Sequence, residues 1–308
     1  MGDTCPGTFG FDGHSKTGRL TEVWLRWDLG IGLAALAAVV WIAVRHRRDR
    51  WGRVLTPLSK EFALLLVVYS GWRRLGQVTV GDAAGAFRRS RLIWRTERAL
   101  HVPNEVTLQR WVLHAHWLVR FADMYYVVFH VAPLGVFLVW LYIYHRDAFG
   151  HWRNQLAFVS LVSAVIQFVP VAPPRFFPQF GFVDTAAIYG PQVYDKGGQA
   201  VLGQLAAMPS THVAWAMLIG VATVRSGTSR WRWIGAVHAV MTVLAVTVTA
   251  YHWLLDGIVA TGIMLIGLAF AATWPRKNGR APILHAPRPP DVTSTVPTRL
   301  AGPDLATS

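Results

Sequence analysis

Residues 209–256, PSTHVAWAMLIGVATVRSGTSRWRWIGAVHAVMTVLAVTVTAYHWLLD, place two polar islands at the ends of two apolar runs. The first island is Pro209–His212 and the second is Tyr251–Asp256. A basic turn at 225–230 joins the two runs, which predicts a helical hairpin that returns the second island to the first. Because ionisable groups at membrane depth are costly, they are usually retained for function. The stretch therefore predicts a helical membrane protein with a functional site where the two islands meet.

The composition of the whole chain agrees with a membrane protein. Of its 308 residues, 53% are hydrophobic and only 15% are charged, whereas soluble domains carry about 25% charged residues. The apolar blocks approach the ~20 residues that cross a bilayer, so we expect an all-α, polytopic transmembrane bundle of about six or seven spans. The expected spans are Leu29–Val44, Phe62–Gly71 if it continues through Val80, Phe121–Tyr144, Gln155–Val171, His212–Val224, Trp233–Ala250 and Leu254–Trp274. The lower count applies if the second run, which Arg73 and Arg74 interrupt, does not cross.

The chain divides into three parts by composition. Residues 1–28 are a polar N-terminal segment, 29–274 are the membrane-embedded domain, and 275–308 are rich in Pro, Thr and Ala and are expected to be disordered. Within the domain, residues 82–120 interleave apolar side chains with arginines, which is typical of amphipathic helices lying in the membrane interface. Pro103 is expected to separate two such helices.

The positive charge indicates membrane orientation. The formal net charge is +14, which could favour nucleic-acid binding, but Lys and Arg concentrate in short segments between apolar runs, as cytoplasmic loops require. We therefore expect no nucleic-acid partner. Segments 45–53, 145–153, 225–232 and 275–280 are assigned to the cytoplasm, which puts both polar islands on the non-cytoplasmic face of the cell membrane. The arginines at 88–98 oppose this assignment, because a true second span would put them outside as well.

The second island suggests a nucleophile and its partner. His252 and Asp256 are four residues apart, so on a helix they would lie within contact range on one face. Asp256 could accept a hydrogen bond from one ring nitrogen of His252, leaving the other nitrogen as a nucleophile. A histidine held by a carboxylate for structural reasons is the alternative, and His-x3-Asp alone does not exclude it.

The first island suggests an anion site with an acid beside it. Pro209 fits the start of a helix and Ser210 or Thr211 suits its cap, so backbone N–H groups and the positive end of the helix dipole would be available to a phosphate. His212 could then protonate a leaving oxygen. An ordinary capped helix with an interfacial histidine is the alternative.

Two further candidates precede the hairpin. Arg175 follows Pro173 and Pro174 at the end of an apolar run, and a guanidinium can bind phosphate oxygens in bidentate fashion; the alternative is an arginine that anchors the helix end. Asp184 is a weaker candidate, since an Asp in a loop is more often a turn residue.

Other classes of function compete with phosphate chemistry. His212, His252 and Asp256 could instead be the ligands of a metal-dependent membrane hydrolase, although the chain has no His-Glu-x-x-His pattern. A transporter or non-catalytic membrane protein is a further alternative, but transporter charges normally lie near the bilayer midplane, whereas these lie at helix ends. The single cysteine, Cys5, excludes an internal disulfide framework and a cysteine cluster for metal.

Taken together, the motifs resemble those of a known family. Pro209-Ser210-Thr211-His212 followed by His252-x3-Asp256 resembles the second and third signatures of the type-2 phosphatidic acid phosphatase superfamily, over roughly residues 60–275. The inositol phosphorylceramide synthase-like (inositolphosphotransferase) branch is the most similar. The segments that resemble this branch are Pro173–Arg175, Gly181–Thr185 and Met208–His212, and more loosely Tyr69, Arg73, Glu97, Gln109, Tyr126 and His130.

The resemblance implies a lipid phosphotransferase or phosphatase with a phosphohistidine intermediate, no cofactor and no metal. It assigns His252 as the nucleophile, Asp256 as its partner, His212 as the general acid, and Arg175 with Ser210 and Thr211 as ligands of the substrate phosphate. A phospholipid would be the donor, and a lipid hydroxyl or water the acceptor. The superfamily's usual Ser-Arg before the third-signature histidine is replaced here by Ala245 and Val246, and because the family's synthases tolerate that loss, it favours transfer over hydrolysis.

Overall fold

The structure is a computed structural model that describes residues 25–78, 82–129, 131–189 and 205–273. Within these segments the chain is all-α, as predicted, and an isolated bridge between Val171 and Ala206 is the one β-type pairing. The helices are α1 (Trp27–Val44), α2 (Arg50–Val78), α3 (Ala83–Ala99), α4 (Glu105–Leu113), α5 (His116–Val128), α6 (Ala132–Tyr144), α7 (Arg146–Ile166), α8 (Thr185–Ile188), α9 (Thr211–Ser226), α10 (Trp233–Val248) and α11 (Leu254–Thr273). Most of the polar N-terminal segment and the expected disordered tail lie outside the described residues.

Large apolar side chains cover the outer surface of the bundle. On α1, Leu36 and Val39 are both 61% exposed, and similar residues are exposed on α6, α10 and α11. Exposed apolar patches of this extent are not found on soluble monomers and mark a surface that meets another apolar phase. The protein is therefore an integral membrane protein whose helices face lipid.

Fewer helices than expected are long and apolar enough to cross a bilayer alone. Among the described residues four qualify, Trp27–Val44, Trp51–Trp72, Arg230–Val248 and Leu254–Thr273, and the bent pair α5–α6 would make a fifth. The difference from six or seven has two causes. α9 has 16 residues, which span about 24 Å of a ~30 Å core, and α7 carries charged and polar residues along its first half.

The run Phe121–Tyr144 was expected to be one span, and the structure divides it into two helices that form either one bent span or a re-entrant pair. The chain breaks between α5 and α6, whose axes differ by 50°. Pro133 lies in the first turn of α6; a proline has no N–H to donate, and its ring would clash with the carbonyl of Phe129 if the helix continued.

The main core lies between α6, α7, α9 and α11, where Leu141, Val159 and Leu218 are fully buried. α9 and α10 approach closely because glycines face each other: a Cβ added at Gly220 would come 3.1 Å from the carbonyl oxygen of Gly235. Small residues allow this kind of close backbone approach in membrane helices. The expected hairpin of α9 and α10 is therefore confirmed and tightly packed.

A second core covers the end of the bundle where α7 and α10 finish and α9 and α11 begin, which we call the α3 end. Here α3 packs against residues 171–182 and 205–208 around the fully buried Trp253. Gly181, at φ 95°, turns the chain sharply in this layer, and a side chain there would meet Arg110. The layer shields the α3 end from solvent.

The amphipathic pattern of residues 82–120 is confirmed. α3 and α4 are separate helices on either side of Pro103, and α3 buries Ser90, Ile93 and Glu97 on one face. Arg88, Arg91 and Arg95 are exposed on its other face. Because α3 packs on the start of α11, these arginines lie at the α3 end.

The opposite, far end of the bundle carries the remaining basic loops. Contacts at this end include the ion pair of Arg153 on α7 with Glu61 on α2 and a 3.0 Å hydrogen bond from Trp152 Nε1 to the hydroxyl of Ser226. Both ends of the bundle therefore carry arginines.

Candidate active site

A tight turn between α10 and α11 presents His252. The carbonyl oxygen of Val246 accepts hydrogen bonds from the N–H groups of Tyr251 (3.1 Å) and His252 (3.4 Å). Ala250 lies in the left-handed region at φ 55°, a conformation that costs a residue with a side chain about 1–2 kcal/mol. Local strain of this kind is concentrated at functional sites.

One nitrogen of the His252 imidazole makes a hydrogen bond that orients the ring, and the other has no hydrogen-bond partner in the described residues. Its Nδ1 lies 2.8 Å from the carbonyl oxygen of Ala207, which can only accept, so Nδ1 carries the proton. Nε2 is buried and makes no hydrogen bond within the described residues. This arrangement leaves the Nε2 lone pair unused and fixes the ring that carries it.

The direct hydrogen bond predicted between His252 and Asp256 is not formed. Asp256 Oδ2 lies 3.6 Å from Nδ1, beyond hydrogen-bond distance, and instead accepts a 2.9 Å hydrogen bond from the N–H of Trp253. The prediction assumed that both residues lie on one helix, but α11 begins at Leu254, so His252 lies in the preceding turn. The fully buried carboxylate remains close enough to act electrostatically on the ring.

A layer of aromatic rings links the two histidines. The ring of Tyr126 on α5 stacks on His212 at 4.2 Å between centroids and on Tyr251 at 3.8 Å. The rings of His212 and His252 are 5.5 Å apart. The hairpin thus brings the two polar islands together, with Tyr126 ordering the ring of His212.

Arg175 lies in the same place. Its backbone N–H donates to the carbonyl oxygen of Ala250 (3.0 Å), two residues before His252. Its guanidinium lies over the ring of Tyr251, 4.1 Å from the centroid, in a cation–π contact. The side chain is buried, so a positive charge adjoins His252 in a place of low solvent access.

The start of α9 completes the group. Ser210 caps the helix by accepting a 3.3 Å hydrogen bond from the N–H of Val213, and its own N–H donates to the carbonyl oxygen of Asp256 (3.3 Å). Ser210 is fully buried and Thr211 is buried, while His212, in the first turn, is half-buried. The N-terminus of α9, which carries His212, therefore lies next to Asp256 and close to His252.

Asp184 has a local role. It caps the short helix α8, and its carboxylate accepts a 3.2 Å hydrogen bond from the N–H of Ala187. The structure thus uses Asp184 as a turn residue.

Sequence reasoning missed Glu105 and gave little weight to Glu97 and Gln109. The two carboxylates accept hydrogen bonds from the N–H groups that start α11. The Gln109 amide joins Val183 to the end of α10 through three 2.9 Å hydrogen bonds. The sequence pattern that could have identified them is a polar side chain on the buried face of an amphipathic helix. Glu97, for example, follows the buried Ile93 by four residues and so lies on the same face.

Within the part of the chain that the structure describes, no three His, Cys, Asp or Glu side chains are arranged to hold a metal ion. The site combines the oriented imidazole of His252, whose Nε2 has no hydrogen-bond partner in the described residues, with a second imidazole, a guanidinium and a helix N-terminus. These groups suit the transfer of a phosphoryl group through a covalent enzyme intermediate.

Comparison with known proteins agrees with this chemistry. No curated protein and no solved structure matches the chain significantly. The profile of the PAP2 superfamily, however, matches residues 91–272, more than half of the chain and the part that contains the whole site. The chain belongs to the PAP2 superfamily and is a phosphatase-type lipid enzyme.

Proposed function

We propose that the protein is a membrane lipid phosphotransferase that moves a phosphoryl group or a phospho-headgroup from a phospholipid donor to a lipid hydroxyl through a phosphohistidine at His252. The observation that carries the proposal is the buried Nε2 of His252, without a hydrogen-bond partner in the described residues, on a ring held by Ala207 and 5.5 Å from that of His212. A nucleophile fixed in this way loses little entropy on attack.

The first step forms the covalent intermediate. Nε2 of His252 attacks the donor phosphorus, a P–N bond forms, and the P–O bond to the leaving group breaks. His212 gives a proton to the leaving oxygen. The imidazolium that forms at His252 is stabilised by the carbonyl oxygen of Ala207 and by Asp256, 3.6 Å away.

The second step returns the enzyme to its starting state. The hydroxyl of the acceptor attacks phosphorus, its proton passes to His212, and the P–N bond breaks. Both steps place negative charge on the non-bridging oxygens, where Arg175 and the start of α9, with Ser210 and Thr211, would bind it. The start of α11 does not serve this purpose, because carboxylates already occupy its N–H groups.

Two features favour a lipid acceptor over water. His252 and Arg175 are 6% and 5% exposed, and a buried site limits hydrolysis of a reactive intermediate. Ala245 and Val246 replace the superfamily's usual Ser-Arg. These features, with the Pro173–Arg175 and Gly181–Thr185 segments, also support the inositol phosphorylceramide synthase-like branch.

The alternative within the superfamily is a lipid phosphate phosphatase, for which water is the acceptor. Purified enzyme would be given phosphorus-labelled phospholipids with and without hydroxyl-bearing lipids, and free phosphate would be separated from new phospholipid. The proposal expects labelled phospholipid that depends on the added acceptor. Release of free phosphate alone, whichever acceptor is offered, would establish the phosphatase.

We further propose that the α3 end faces the non-cytoplasmic side of the cell membrane. The loops at 45–53, 145–153 and 225–232 all lie at the far end and support this orientation, whereas the arginines of α3 oppose it. In intact cells carrying Cys5→Ser, an impermeant thiol reagent is expected to label Asn104→Cys at the α3 end and not Ser229→Cys at the far end. The reverse labelling pattern would place the site on the cytoplasmic face.

Arg175→Lys is expected to lower kcat/KM by about 10- to 100-fold, although the charge is kept. Lysine cannot bind two phosphate oxygens in a planar fork and would lose the stacking on Tyr251. The measurement is steady-state turnover of the labelled donor. Arg89→Lys is the matched control, since Arg89 is a nearby arginine whose Nε donates to the carbonyl oxygen of Pro170 (2.7 Å). A wild-type kcat/KM in Arg175→Lys would show that Arg175 does not bind the substrate phosphate.

A further inference from the structure

The start of α11 is held by an unusual set of hydrogen bonds. Its three consecutive N–H groups each donate to a different carboxylate. The pairs are Trp253 with Asp256 (2.9 Å), Leu254 with Glu105 (3.1 Å) and Leu255 with Glu97 (2.8 Å). A helix is normally capped by one local Ser, Thr, Asp or Asn, whereas two of these caps come from α3 and α4, about 150 residues earlier in the chain.

Stability alone does not account for this arrangement. Glu97 and Glu105 are 0% and 1% exposed, and burying a carboxylate is costly even when it is paired. Glu105 has a cationic partner, since Arg98 Nη2 lies 3.1 Å from its Oε2. For Glu97, burial and then the charge of Glu105 raise the pKa to about 9. Burial and the neighbouring Glu105 therefore favour the protonated form of Glu97.

The two carboxylates bind backbone N–H groups that adjoin the candidate nucleophile His252 and its partner Asp256. Leu254 follows His252 by two residues, and Leu255 precedes Asp256. The second core places α3 and α4 against the turn between α10 and α11. The two glutamates therefore connect the turn that carries His252 to helices outside the α9–α10 hairpin. A shift of about 1 Å in a reacting group can cost about 10²-fold in rate.

We infer that Glu97 and Glu105 are positioning residues that clamp the start of α11 and thereby fix His252 and Asp256 for reaction. The inference rests on the proposed function of His252. It goes beyond that function in assigning two residues of the amphipathic helices to the catalytic geometry, although neither touches the substrate.

The clamp predicts an asymmetric response to substitution. Glu97→Gln is expected to stay within about 3-fold of wild-type kcat, because an amide can replace a protonated carboxyl and still accept from Leu255. Glu97→Ala and Glu105→Ala are expected to lower kcat by about 10- to 100-fold with KM within about 3-fold, because they misplace the nucleophile without touching the binding groups. Glu105→Gln is expected to fall between these, since it leaves Arg98 without its ionic partner.

Glu61→Gln is the matched control. Glu61 is a largely buried carboxylate paired with Arg153 at the far end of the bundle, so its substitution removes an ion pair without affecting the clamp. It is expected to lower the unfolding temperature with kcat unchanged. A second readout is amide hydrogen exchange in the peptide covering residues 253–256, which is expected to accelerate in both alanine variants and not in Glu61→Gln.

The outcomes separate the clamp from the proposed function. Unchanged amide exchange in folded alanine variants, or wild-type kcat in them, overturns the clamp, as does an equal loss of kcat in Glu61→Gln. If amide exchange accelerates in the alanine variants but His252→Ala retains full turnover, the proposed function fails and the clamp stands as a structural feature only. Loss of kcat in Glu97→Ala with its recovery in Glu97→Gln supports the positioning role.

Discussion

His252→Ala is expected to lower kcat by about 10⁴-fold or more, because it removes the nitrogen that we propose to form the covalent bond to phosphorus. No other group at the site can replace it. Asp256 is engaged with the N–H of Trp253, and the ring of His212 is stacked on Tyr126. The measurement is turnover of labelled phospholipid by protein whose folding is checked from its unfolding temperature.

His238→Ala is the matched control for that substitution. His238 is a partly buried histidine on α10, with Nδ1 2.6 Å from the hydroxyl of Tyr125, and it lies ten residues before the end of the helix, towards the far end. Its loss is expected to reduce stability and leave kcat within about 3-fold. Turnover above one hundredth of wild type in His252→Ala would show that the nucleophile lies elsewhere.

His212→Gln is expected to lower kcat by about 10²- to 10⁴-fold, the usual contribution of a general acid. Glutamine keeps a side chain of similar size beside Tyr126 but cannot give a proton to the leaving oxygen. The loss should therefore depend on the substrate. With a donor whose leaving group has a low pKa, such as a nitrophenyl phosphodiester, the defect of the first step should shrink to less than about 10-fold.

His252→Ala provides the contrast for this experiment. A missing nucleophile is not replaced by a better leaving group, so its defect should remain large with both kinds of donor. If the loss in the single-turnover rate of the first step in His212→Gln is the same for lipid and nitrophenyl donors, His212 acts through positioning or binding and the assignment as the acid is wrong.

The parts of the fold that depend on local sequence were predictable. The apolar runs on both sides of the basic turn predicted the α9–α10 hairpin, and Pro103 predicted the division of the amphipathic region. The break before Pro133 was missed because the apolar run continues through it; the effect of a proline on the backbone is a separate signal from hydropathy. The span count differed because a helix packed inside a bundle, such as α9, can be shorter than one that faces lipid.

The site was predictable in its members and less so in its contacts. The two polar islands and the Pro173–Arg175 turn drew attention to Arg175, His212 and His252, which the structure brings together. The prediction of a His252–Asp256 hydrogen bond was wrong, because a spacing of four residues implies contact only if one helix includes both residues. Glu105 was missed because its role depends on a contact with Leu254, 149 residues away, and no local pattern carries that information.

The most direct test of the central claim is to capture the phosphoryl group on the enzyme. His212→Gln would be mixed with a phosphorus-labelled nitrophenyl donor without acceptor lipid and quenched in alkaline detergent, which preserves a phosphoramidate. We predict near-stoichiometric label on the peptide that contains His252, because this variant lacks the base for the second step, and no label when His252→Ala is combined with His212→Gln. Label on another residue, or label that persists in the double variant, would contradict the phosphohistidine mechanism.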